Sequence, residues 1–369
     1  MQRQLMSGDE AVAFAAVDAG VALGTGYPGT PSTEILETFA EAGGHAQWAP
    51  NEKVAFEVGL GAAFAGARVL VTMKHVGVNV AADPLFTSAY TGVSGAFVLV
   101  AADDPGMSSS QNEQDSRRYA VAAGIPMIEP SNSQEAYDFL QAALSLSERF
   151  KLPVMLRMTT RVCHSKTLME RRPPLPAAPA PHFVRDIAGR VMVPGYARPA
   201  HKRLRERLAE ILKENEASPL NAEHPGDGKL GIVTNGIAYK HVLEAAPQAS
   251  VLRIATIHPF PVERVRAFAK SVERCMIIEE GDPVFFEQAR AAGIPVENKP
   301  EMFKRAARFL GWQEIPAMRL GVPAKVDYSL ASRLGIFDIR KKQWSEPLME
   351  LAGVEEKQLP EAVPSGAVV

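Results

Sequence analysis

Phe97-Val-Leu-Val-Ala101 runs without a polar residue and then breaks at Ala102-Asp-Asp-Pro-Gly106, and the fold class turns on that change. A short run of branched and aromatic side chains, closed by Asp, Pro and Gly, reads as a strand buried on both faces. Val69–Thr72 and Val154–Arg157 repeat the pattern. Helical spacing fills the intervals. Ala11, Phe14, Ala15 and Val17 mark a helix over Gly8–Asp18, with Ser7 placed to cap it. Further helices are predicted from Ser32 or Thr33 through Glu41, over Glu52–Gly66, and over Gln134–Phe150. This alternation predicts an α/β fold with doubly wound, mainly parallel sheets.

After this first unit, Pro173-Pro-Leu-Pro-Ala-Ala-Pro-Ala-Pro181 can be neither helix nor central strand and reads as an extended linker. A charged helix over His201–Glu216 and a loop over Pro219–Gly228 follow. The pattern then restarts, with strands at Leu230–Thr234, Val251–Ile254 and Met276–Glu279. The expected divisions are therefore 1–165, 166–228, 229–298 and a tail, 299–369. That tail carries scattered aromatics, Phe303, Phe309, Trp312, Tyr328, Phe337 and Trp344, suited either to packing or to docking on a partner.

Forty basic residues against 42 acidic ones give a net charge of -2, which argues against a nucleic-acid partner. No apolar run is long enough to span a bilayer, and the start lacks an apolar signal core, so a cytoplasmic location is expected. Cys163 and Cys275, far apart in sequence, cannot form a four-cysteine metal or iron–sulfur site. The eight histidines show no paired metal-ligand spacing, so no metal site is predicted on this chain. Phosphate-loop, nucleophile-elbow and strand-linked dinucleotide motifs are absent as well.

Four polar, glycine-rich stretches could carry chemistry: Gly26–Thr33, Asn51-Glu52, Lys74–Asn79 and Asp103–Asp115. In open α/β sheets ligands bind at such turns. Glu52 heads a helix rich in Gly59, Gly61, Ala62, Ala63, Ala65 and Gly66, whose small side chains call for close approach of another backbone, plausibly another subunit. A carboxylate at the end of such a helix is expected to be enclosed. Read alone it could equally be a first-turn glutamate favoured by the helix dipole. His75 could act as a base, or Lys74 and His75 could simply contact loop carboxylates.

Tyr27-Pro-Gly-Thr-Pro-Ser-Thr33, Asn51-Glu-Lys-Val54, Met73-Lys-His-Val-Gly-Val-Asn-Val-Ala-Ala-Asp-Pro84, Ala102–Asp115 and Leu152–His164, in that order, closely resemble the alpha subunit of indolepyruvate ferredoxin oxidoreductases. These are thiamine-diphosphate-dependent 2-oxoacid:ferredoxin oxidoreductases. The resemblance is dense over residues 7–165 and looser beyond. It implies a pyrimidine-binding domain at 1–165 and a transketolase-C-terminal-like domain at 229–298. It implies that Glu52 hydrogen-bonds the cofactor's aminopyrimidine, with Lys74, His75, Gly77 and Asn79 beside it. Tyr27, Pro28, Gly29 and Thr30 are expected over the substrate, and Gln111, Asn112 and either Arg117 or Arg118 near its carboxylate.

The implied reaction is oxidative decarboxylation of an arylpyruvate-like 2-oxoacid, with electrons leaving to iron–sulfur clusters and coenzyme A taking the acyl group. The family's alpha subunit continues into a diphosphate-binding domain with a GDG magnesium motif and a cysteine-rich ferredoxin-like domain. Neither is found here, so the chain is expected to be half of a split enzyme. Thiamine diphosphate would be shared, with Mg2+ and the clusters on partner chains. Two rival readings are a non-catalytic scaffold subunit and a non-oxidative thiamine-diphosphate decarboxylase component. Co-purifying iron–sulfur protein would favour the oxidoreductase.

Overall fold

Along Ala96–Asp103 the side chains alternate between two cores: Phe97, Leu99 and Ala101 enter one, while Val98, Val100 and Ala102 enter the other. A strand covered on both faces has no polar side to show, which is why its sequence reads as an unbroken apolar run. The computed structural model describes residues 3–178, 180–298, 325–327, 337–338, 340–352, 355–356 and 359–364. Residues 1–298 form one compact unit and 299–369 a second.

The first unit begins β1 (Gln4–Met6), α1 (Gly8–Asp18), β2 (Leu23–Gly26), α2 (Thr33–Glu41), β3 (Ala46–Trp48) and α3 (Glu52–Phe64). It continues with β4 (Arg68–Lys74), α4 (His75–Val80), α5 (Ala82–Thr91), β5 (Ala96–Asp103), α6 (Ser116–Ala123), β6 (Met127–Ile128) and α7 (Ser133–Phe150). Then come β7 (Val154–Thr159), α8 (Thr160–His164), β8 (Thr167–Met169), α9 (Ile187–Arg190) and α10 (Pro194–Glu216). The last part holds β9 (Ala222–His224), β10 (Leu230–Thr234), α11 (Gly236–Ala245), β11 (Ser250–Arg253), β12 (Thr256–His258), α12 (Val262–Lys270), β13 (Arg274–Ile278), α13 (Val284–Ala291) and β14 (Glu297–Asn298).

Seven strands form one sheet in the order β12-β6-β7-β5-β4-β2-β3, parallel except at β12. Five form the other, β14-β13-β10-β11-β9, parallel except at β9. The mainly parallel, doubly wound α/β fold expected from the alternation is the fold observed. One strand crosses the expected organisation. β12 lies in the later part of the chain yet pairs with β6 of the first sheet, and Val233, Leu252, Ile277 and Phe285 share a core with Phe97 and Leu99.

Caps follow the sequence closely. Ser7 accepts from the Glu10 N–H while Glu10 accepts from the Ser7 N–H, closing a capping box on α1. Asn51 caps α3 by accepting from Val54 N–H at 2.9 Å. The close approach that α3 requires is made within this chain: a Cβ on Gly59 would lie 2.8 Å from Val71 Cγ2 on β4. Gly61 faces solvent instead, with nothing within 4 Å of where its Cβ would be. Within the chain, then, the sheet takes up the Gly59 side of α3 and leaves Gly61 uncovered.

The linker is strapped down. Arg68 donates to the Pro176 carbonyl at 2.8 Å, and the His182 N–H donates to the Ala65 carbonyl at 2.6 Å. α10 starts earlier than expected, with Pro194 at its first turn, and buries Leu204, Leu208 and Ile211.

In the second unit, Phe337 and Trp344 pack edge to face, their ring centroids 5.1 Å apart, and Trp344 Nε1 donates to the Pro360 carbonyl at 3.1 Å. Phe303, Phe309, Trp312 and Tyr328, expected to pack or dock, lie outside the described residues.

Candidate functional site

The polar loops named from the sequence gather at the carboxyl ends of β2, β4 and β5. Lys74 ends β4 and α4 begins at once, so the stretch 74–79 is a short helix rather than the loop its valines and glycine suggested. That helix ties the other loops together. His75 is fully buried, and its Nε2 lies 3.0 Å from the Asn112 carbonyl. Lys74 Nζ lies 3.4 Å from the Ser109 carbonyl. The Lys74 stem also backs the Tyr27–Thr33 loop: a Cβ on Gly29 would lie 3.2 Å from its Cδ. Asn79, further along α4, is hydrogen-bonded to the Tyr119 hydroxyl.

Glu52, at the start of α3, is half-buried rather than enclosed. Its side chain presses on α4 where Gly77 leaves room: a Cβ there would lie 2.6 Å from Glu52 Cγ and 2.7 Å from its Oε1. Any other residue at 77 would push that carboxylate away, so the glycine sets its position. No hydrogen bond from the described residues reaches the Glu52 carboxylate.

The Tyr27 loop is held by its own polar groups. Gly29 N–H donates to Thr33 Oγ1 at 2.8 Å, and Ser32 Oγ donates to the Gly29 carbonyl at 3.0 Å. Tyr27 itself is 41% exposed. Pro28, Thr30, Gln111 and Asn112 are exposed beside it in sequence or across the Lys74–His75 contacts.

Asp104, which the sequence reading quoted but did not single out, organises the second loop. Buried after β5, it accepts from Ser109 N–H at 2.8 Å, Ser110 Oγ at 2.7 Å, Thr160 Oγ1 at 2.9 Å and Ser108 N–H at 3.2 Å. Burial works to raise its pKa, but these donors outweigh burial and hold the carboxyl below its ordinary value. An aspartate followed by three serines is the local signal that marked it.

Arg117 is placed elsewhere. Its guanidinium is fully buried, with Nε 2.8 Å from Asp115 Oδ1 and Nη1 2.5 Å from Glu279 Oε2. Its Nη2 donates to Asp115 at 2.5 Å and to the Asp282 carbonyl at 2.8 Å. The donors expected to meet a substrate carboxylate are spent inside the protein. Arg157 sits beside it, 2.7 Å from both Asp103 and Glu129. Four carboxylates thus share two guanidiniums. Burial raises the pKa of Asp103 and Glu129 despite Arg157, whereas the two arginines overcome burial and lower that of Asp115. This network joins the first sheet to the turn after β13 and is structural.

The residues present fit a thiamine ring: a carboxylate with no hydrogen bond among the described residues lies against Gly77 of α4, the helix whose first residues contact the Asp104 loop. The profile of the family described as pyruvate flavodoxin/ferredoxin oxidoreductase, thiamine diphosphate-binding, matches residues 14–175. A second profile, the N-terminal domain of FGGY carbohydrate kinases, matches residues 296–369. The chain is 41% identical over 310 residues to the indolepyruvate oxidoreductase subunit IorA of Archaeoglobus fulgidus, covering 79% of this chain and 49% of that one. It is 40% identical over 294 residues to the subunit of the same name from Methanothermobacter thermautotrophicus, covering 77% and 48%. Among solved structures it is similar, at a TM-score of 0.66 and 15% identity, to the 2-oxoglutarate:ferredoxin oxidoreductase of Magnetococcus marinus; that likeness covers 80% of this chain and 62% of that one and speaks for the fold. The chain spans about half the length of the curated relatives it matches. On these grounds the chain belongs to the 2-oxoacid:ferredoxin oxidoreductase family, matching the N-terminal half of its indolepyruvate oxidoreductase subunits.

Proposed function

We propose that this chain supplies the pyrimidine-side half of a thiamine-diphosphate site for oxidative decarboxylation of an arylpyruvate-like 2-oxoacid in the cytoplasm. The observation that carries this reading is the Glu52 carboxylate held against the bare backbone of Gly77, on the helix whose start contacts the Asp104 loop. Bound there, the cofactor supplies the carbanion chemistry that decarboxylation needs. Residues 1–165 act as its pyrimidine-binding domain, and residues 229–298 as the transketolase-C-terminal-like domain.

Glu52 takes and returns a proton at the pyrimidine nitrogen, and Gly77 leaves the space in which that carboxylate sits. Lys74, His75 and Asn79 fix α4, and through it both loops. Tyr27, Pro28, Gly29 and Thr30 cover the 2-oxoacid, and the Gln111 and Asn112 amides face its polar end. Arg117 takes no part in the site. Partner chains bring the diphosphate-binding domain with its Mg2+, the iron–sulfur clusters and the surface that binds coenzyme A.

Glu52→Gln tests this in the complex reconstituted with its partner chains. Glutamine keeps the shape but cannot exchange the proton, so 2-oxoacid-dependent acceptor reduction should fall roughly 10²–10⁴-fold with folding intact. Glu57→Gln, on the exposed face of α3 beside Lys53, should leave the rate close to wild type. A Glu52→Gln enzyme as fast as wild type would overturn the assignment.

A further inference from the structure

We infer that Asp9, Glu34 and His164 form a binding site for a divalent transition-metal ion, beside the loops of the cofactor reading but independent of it. No spacing along the chain points to such a site, because the three residues come from α1, α2 and α8. The fold brings them together: one ligand atom from each lies within 4.8 Å of the other two.

Asp9 is the observation that points to a ligand. Its side chain is 1% exposed, and no N–H or O–H donor among the described residues reaches either carboxylate oxygen. The buried Cys163 thiol is the one donor at its side. Glu34 stands close by, so a second negative charge faces the first. With a thiol as its one donor and another carboxylate opposite, a buried Asp9 has its pKa driven up by burial and must take either a proton or a counter-charge. The dipoles of α1 and α2, whose first turns carry these carboxylates, supply only part of it.

One imidazole and two carboxylate oxygens suit Zn2+, Mn2+ or Fe2+ better than the all-oxygen preference of Mg2+. Glu34 and His164 are exposed, so an ion can enter from solvent and keep water on its open positions. Glu34 lies in the first turn after the Tyr27–Thr33 loop, so a bound ion pins the end of that loop to the helix that follows β7.

The test uses the full chain, stripped with chelator and titrated with Zn2+ by equilibrium dialysis. Wild type should bind about one ion per chain, with a matching rise in Tm. Glu34→Gln and His164→Ala alter exposed side chains and should leave the fold intact by circular dichroism. Each should weaken binding by at least about tenfold. His201→Ala, on the exposed face of α10, should leave binding unchanged, and so should Glu52→Gln, which separates this site from the cofactor reading. If wild type binds no Zn2+, or if Glu34→Gln and His164→Ala bind it as tightly as wild type, the inference falls and a proton neutralises Asp9.

Discussion

Asp104 and Arg117 show how differently two charged residues can serve one site. Both were within reach of the sequence reading, and the weight fell on Arg117 because an arginine near a polar loop is the ordinary partner of a carboxylate substrate. Burial decides otherwise. Arg117 is enclosed with Asp115 and Glu279, whereas Asp104 accepts hydrogen bonds from five donors, four of them in the loop carrying Gln111 and Asn112. Replacing Asp104 by Asn turns one acceptor oxygen into a donor that faces the Ser108 N–H and Thr160 hydroxyl at Oδ1 or the Ser109 N–H and Ser110 hydroxyl at Oδ2. The expected result is a loss of stability of about 1–3 kcal/mol and a loosened loop. Limited proteolysis should then cut within residues 106–112 faster in Asp104→Asn than in wild type. Equal cleavage rates would show that the aspartate does not hold the loop.

At the scale of elements, legibility followed burial on two faces. β4, β5 and β7 were plain in the sequence because both faces are covered, and α1 and α7 because their caps and apolar spacing agree. α4 was not. His75-Val-Gly-Val-Asn-Val80 has poor helix propensity, and only its contacts with β4, α3 and the Asp104 loop make it helical. The short strands β2 and β3 were hidden for a related reason: Leu23-Gly-Thr-Gly26 lacks the apolar run that would announce a buried strand.

The two glycines of α3 give opposite expectations within one helix. Gly61 has open space where a Cβ would go, so Gly61→Ala should stabilise the protein by about 0.5–1 kcal/mol through helix propensity. Gly59 has Val71 Cγ2 at 2.8 Å and Val69 Cγ1 at 3.0 Å from that point, so Gly59→Ala forces β4 side chains to move and should cost about 1–3 kcal/mol. Urea denaturation of the two variants settles the sign, and a stabilised Gly59→Ala would refute the packing argument.

For the molecule from residue 3 to 298, the feature no local reading could supply is how its later part closes on the first sheet. Two devices do this: the buried arginine–carboxylate network, and β12, which carries His258 to the edge of that sheet. His258 lines a cavity of about 580 Å³ with Met127, Ile128, Leu146 and Leu220. Both ring nitrogens are buried, with no hydrogen-bond partner among the described residues. Burial, aided by Arg205, lowers its pKa to about 4. In the unfolded chain the imidazole takes a proton near pH 6.5, while in the folded protein it resists until about pH 4. The unfolded state therefore binds more protons in that interval. The stabilisation is complete above pH 6.5 and is lost as pH falls toward 4. His258→Phe fills the same apolar space and cannot titrate, so it should lack this component while sharing every other titration with wild type. Urea denaturation of both proteins at pH 7 and pH 4.5, in the presence of chelator, gives the comparison. The stability difference between them should shift in favour of the variant at the lower pH by roughly 2–3 kcal/mol, at about 1.4 kcal/mol per pH unit. Parallel pH profiles would mean that the ring finds a proton acceptor or water in the folded protein, and that β12 is not closed against the sheet by a neutral histidine.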